Sequence, residues 1–131
     1  MWIIKTLAPS TMRYMSGVPR GFPLIAEDAK FVTMFFDSMF PITLKLAGVL
    51  FDAFVSNANV NGCPLESIRV PTLVVHTRDD PLIHYDSAAR AAHRIPGVRL
   101  VGLVSGGHLM LGQTPAVRAE LAIFLTRTDA A

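Results

Sequence analysis

The sequence predicts an α/β fold, with two parallel strands, flanking helices and a helical segment ahead of them. Three observations carry this. Val70–His76 and Val98–Val104 are short, continuous, valine-rich runs bounded by turn residues. Such runs suit strands buried on both faces of a parallel sheet. Helical patterns follow each run, and strand–helix–strand–helix is a right-handed parallel unit. Before Asn57 the apolar spacing is helical, most clearly from Ala26 onward. The chain therefore divides near Asn57–Pro64, into a helical segment over residues 1–63 and a βαβα segment over residues 64–131.

Each element has a local cause. Trp2 to Met15 is a weak start, because Pro9, Gly17, Pro19, Gly21 and Pro23 break the region into short pieces. Ala26 to Phe40 reads as a helix. Phe31, Met34 and Phe35 form one apolar set, and Val32, Phe36 and Met39 form a second. The two faces overlap, which predicts a helix covered on most sides. Pro41 stops it and suits the start of the next, about Ile42 to Ser56. Asn57 to Gly62 is a turn-rich connector. Val70–His76 is the first strand, closed by Arg78-Asp79-Asp80-Pro81. Tyr85 to Ile95 is a helix with Ala88, Ala89, Ala91 and Ala92 packing closely, ended by Pro96-Gly97. Val98–Val104 is the second strand. Thr114 as N-cap and Pro115 in the first turn open a last helix to about Thr126.

Composition narrows the function classes. Apolar residues make up 51% and charged residues 17%, with mean hydropathy +0.42. That is a high apolar share for a free-standing domain and predicts faces that expect cover from more protein. The longest apolar region, Ile42 to Val55, is interrupted by Lys45 and Asp52 and is too short to span a bilayer. Met1 to Leu7 lacks the layout of a signal peptide. The expectation is a soluble, cytoplasmic chain with no membrane role. Net charge is +2, and the arginines are scattered without interleaved aromatics, which argues against nucleic acid. Cys63 has no partner for a disulfide or a metal site.

Chemistry gathers at the strand ends. In open parallel sheets, functional residues collect beyond the C-terminal ends of strands. Asp80 follows the first strand and His108 the second. A carboxylate beside an imidazole fixes its tautomer and stabilises the imidazolium. Gly106-Gly107 lets the backbone turn sharply and aim His108 back at the acid. Plain readings exist too, with Asp80 starting a turn and His108 capping a loop. The pairing on neighbouring strands favours chemistry.

The stretch Val70-Pro71-Thr72-Leu73-Val74-Val75-His76 to Asp80-Pro81-Leu82, then Ile95-Pro96-Gly97, then Gly106-Gly107-His108, resembles the C-terminal portion of the α/β-hydrolase fold. The resemblance covers about Pro64 to Leu125. It implies that Asp80 is the acid of a catalytic triad, His108 its general base, and Asp79 a solvent-facing neighbour. Thr77 stands where the family usually has glycine. The segment before Pro64 then looks like the family's helical cap.

The family's nucleophile sits on a Gly-x-Ser-x-Gly elbow, and this sequence has none. Ser16 has no strand before it, and Ser105 lies beside the histidine on the wrong strand. The reading is a truncated chain that supplies acid and base, whose complete relative acts on a small ester-like molecule. Two rivals stand beside it. One is a non-catalytic module that pairs with a separate N-terminal half or with itself. The other is a dehalogenase- or epoxide-hydrolase-like relative with an aspartate nucleophile. No cofactor and no metal site is expected: His76, His84 and His93 lack ligand spacing and read as core or surface residues. Gly106-Gly107 lacks a dinucleotide fingerprint. The Phe31 to Phe40 stretch reads as a packing helix rather than the lining of an acyl pocket.

Overall fold

The computed structural model describes residues 13–38, 42–51, 54–55 and 62–128. The elements run α1 (Ala26–Ser38), α2 (Ile42–Phe51), a 3-10 turn (Leu65–Ser67), β1 (Leu73–Thr77), α3 (Tyr85–His93), β2 (Arg99–Leu103) and α4 (Thr114–Thr128). The strands pair in parallel, from Leu73 opposite Arg99 to Thr77 opposite Leu103. This is the α/β arrangement the patterns predict.

The boundaries differ for physical reasons. The first strand begins after Pro71, which has no N–H to give a ladder. Val70 lies outside the strand and is largely exposed. Helix α3 ends at His93, not Ile95; Arg94 is its cap, and Gly97 turns the chain with φ +68°. Helix α4 opens one residue earlier than expected, with the Gln113 carbonyl accepting from the Val117 amide. Helix α1 is described to Ser38; the expected ends at Phe40 and Ser56, the Trp2 start and most of the Asn57 connector lie outside the described residues.

Two expectations about burial are corrected. The strands are half-buried along most of their length, and only Thr77 and Leu103 are fully covered. Helix α3 packs on the pair, burying Ala92 and setting Tyr85 against Gly102. Helix α1 is covered on one face, not on most sides. Val32 and Phe36, one turn apart, are buried, while Phe31 and Met34 are exposed.

The core ties α1 to the loop after β2. Val18, Val32 and Leu111 form a buried cluster, flanked by Phe22, Leu24 and Leu109. Leu111 lies three residues beyond His108, so this cluster sets the floor under the histidine loop. On the other flank, Arg99 of β2 and Glu120 of α4 form an ion pair. Among the described residues, no helix is long and apolar enough to cross a membrane.

Candidate active site

The C-terminal end of β1 supplies side chains at four of five consecutive positions. His76, Thr77, Asp79 and Asp80 all reach toward the segment after β2 or the turn after β1. The strand ends when the Arg78 amide bonds to the Leu103 carbonyl, and the chain then turns over Asp80.

Asp80 is buried, with 1% of its side chain exposed. Its two oxygens divide the work. Oδ1 accepts from the amides of Leu82 (2.8 Å) and Ile83 (3.0 Å), which closes the turn around Pro81. Oδ2 accepts from His108 Nδ1 at 2.8 Å. An ionised carboxylate only accepts, so the proton sits on Nδ1, and in the neutral ring Nε2 is then the nitrogen with the lone pair. The His108 ring is 42% exposed, which leaves it open to a group arriving from outside. Burial pushes the Asp80 carboxyl up. The Ile83 amide, the His108 imidazole and the Leu82 amide together outweigh it and hold the acid below its ordinary value.

That depression has a stability consequence with a defined sign. A carboxyl whose folded value lies below its unfolded value, about 3.9, stabilises the fold above that value. The contribution is lost as pH falls further through the folded value. The expected urea midpoint is therefore steady above about pH 4 and drops below it. Asp80→Asn removes this component, so the variant shows a shallower acid limb. An unchanged acid limb in the variant would contradict the pairing.

The histidine loop is built on glycine. Gly106 and Gly107 have φ of +122° and +61°, where side-chain-bearing residues are rare. Three successive amides are then held by two groups, the Asp79 carboxylate and the Gly17 carbonyl. Gly106 N–H donates to Asp79 Oδ2 (3.2 Å) and Gly107 N–H to Asp79 Oδ1 (2.9 Å). His108 N–H donates to the Gly17 carbonyl at 2.9 Å. The Thr77 hydroxyl donates to the Gly107 carbonyl at 2.8 Å. Gly17 approaches so closely that a Cβ there would strike His108 Cβ.

Asp80 and His108, which the pattern singles out, are thus brought into direct contact. Asp79 is not the solvent-facing neighbour the resemblance implied: it is half-buried, and both its oxygens are taken. Two contributors escape sequence reasoning. Gly17 is far away in the chain, and no periodicity links it to His108. His76 reads as a core or surface residue, yet its Nε2 lies 2.8 Å from the Ile83 carbonyl and 3.5 Å from Asp80 Oδ2. It therefore steadies the turn whose amides hold Asp80. Its only signal in the sequence is four-residue spacing from the acid. His84 and His93 are exposed. Ser16 is buried, and Ser105 is half-buried just ahead of the glycine turn.

A protein-family model described as TAP-like protein, of the α/β-hydrolases, matches residues 54–130. No curated protein and no solved structure matches the chain. The match spans both strands, the turn at Asp80 and the loop at His108, and it covers more than half the length; the chain belongs to the TAP-like family of α/β-hydrolases.

Proposed function

We propose that this chain contributes the acid and the base of a serine-hydrolase-type site that cleaves a small ester or a related bond. One observation carries the reading: the 2.8 Å contact between His108 Nδ1 and a buried carboxylate whose other oxygen is already locked. Asp80 cannot rotate away, so the imidazole stays in the tautomer with Nε2 free.

The chemistry follows from that tautomer. A serine hydroxyl oxygen attacks the substrate carbonyl carbon, and its proton passes to His108 Nε2. The carbonyl π pair moves onto oxygen. On collapse the carbon–oxygen bond to the leaving group breaks, and His108 returns its proton to the departing alkoxide. Water repeats the cycle and frees the acyl group. Asp80 stays ionised throughout and stabilises the imidazolium. The serine of this reading and one amide of its oxyanion hole lie on a Gly-x-Ser-x-Gly elbow, which the 131 residues do not contain.

Short-chain p-nitrophenyl esters test the proposal in two arms. The chain alone gives turnover no higher than buffer, since the oxyanion hole by itself is worth about 3–4 kcal/mol. An extended protein that joins these residues to a half carrying a Gly-x-Ser-x-Gly elbow is expected to turn the ester over. In that protein His108→Ala abolishes turnover, and Asp80→Asn lowers it by about 10⁴-fold. Turnover by the chain alone that vanishes in His108→Ala would place the nucleophile inside these residues. Turnover by the extended protein that survives His108→Ala would remove the histidine from the mechanism.

A further inference from the structure

We infer that Asp79 is the positioning residue of this site: it places the backbone of the histidine loop, while Asp80 places the ring. The inference deepens the acid–base reading and rests on it. Two adjacent aspartates after a strand need no such division of labour, since either could simply begin a turn. Here each oxygen of Asp79 receives one of two successive amides, from Gly106 and Gly107. Successive backbone N–H groups in a turn can present a concave site to one anion. Here the turn is made at two glycines, both with positive φ angles. Hydrogen bonds to an ionised acceptor are about twice as strong as neutral ones. The carboxylate therefore selects the loop conformation that aims His108.

The neighbouring contacts show what Asp79 adds. Thr77 holds the Gly107 carbonyl, and Gly17 holds the His108 amide. These two fix the peptide plane between Gly107 and His108. The two preceding amides belong to Asp79. The Gly106 carbonyl also accepts from the Leu111 amide and the Gly107 carbonyl from the Met110 amide, so without Asp79 the loop keeps its closing turn but loses the two bonds that tie its glycine amides to the end of β1.

The test reads the His108 ring directly and needs no turnover. In the ¹⁵N-labelled full chain, the Nδ1 proton shared with Asp80 gives a low-field NMR signal. Asp80→Asn removes that signal and serves as the reference. Asp79→Asn keeps an acceptor for Gly107 but sets an NH₂ against the Gly106 amide. Asp79→Ala removes both acceptors. The expected result is a weakened, exchange-broadened signal in Asp79→Asn and none in Asp79→Ala, with the amide shifts of β1 and β2 unchanged. A wild-type signal in both variants overturns the proposal and leaves the Asp80–His108 pair standing. A signal that survives Asp80→Asn overturns the pair and the proposal together.

If the variants fail to fold, the unaltered chain still decides. A through-hydrogen-bond coupling from the Gly106 and Gly107 amide nitrogens to the Asp79 carboxyl carbon is expected. Its absence at both amides overturns the proposal.

Discussion

Gly107→Ala lowers the unfolding free energy by about 3 kcal/mol, measured as a shift in urea midpoint at constant slope. Two costs add. Gly107 has φ +61°, and a side-chain-bearing residue there costs about 1–2 kcal/mol. A Cβ would also press into the Gly17 carbonyl oxygen and the Pro19 ring, and such overpacking costs about 1–3 kcal/mol. Gly112→Ala separates the two. Its φ is +70° with nothing nearby for a Cβ to meet, so only the backbone cost applies. For a domain with a net stability of about 5–15 kcal/mol, the Gly107 change removes a large fraction. Equal effects at both glycines would mean that the histidine loop does not pack on residues 17–19.

Phe36→Ala is expected to cost about 3–5 kcal/mol, the range for emptying a buried aromatic site. Phe36 is fully buried, and Val32, one turn earlier, joins the cluster that includes Leu111. The comparison is Met34→Ala on the same helix. Met34 is 61% exposed, so its loss stays within about 0.5 kcal/mol. Denaturant melts of both variants check this. Hydrogen exchange adds a second reading, because loosening α1 also loosens the floor under His108. Similar small losses in both variants would mean that α1 hangs off the fold rather than building it.

The strands and helices could be read from the chain because valine runs and helical spacing are local signals. Their ends were less legible. Pro71 and Gly97 act through backbone geometry, which hydrophobic runs do not register. The face of α1 was ambiguous for a related reason. Two overlapping apolar sets give periodicity no basis for choosing Val32 and Phe36 over Phe31 and Met34. The contact between Asp80 and His108 was legible because a strand end, a Gly-Gly turn and two complementary side chains coincide. The use of Asp79 was not, since it depends on the direction of two amides that only positive-φ glycines can present. Gly17 was hidden most completely. Its part in the site depends on a close approach between segments from opposite ends of the described chain.

That last contact bears on how the molecule comes into being. Pairing β1 with β2 closes only the span of one helix, whereas seating Gly17 against His108 closes nearly the whole described chain. Closure entropy rises with the length enclosed, and distant contacts slow assembly. The strand pair and α3 can therefore gather early, while the histidine acquires its final aim late, when the N-terminal segment docks. During that interval Asp80 and His108 are both present but not yet aligned. A nascent or partly unfolded chain therefore carries the residues of the pair without its geometry.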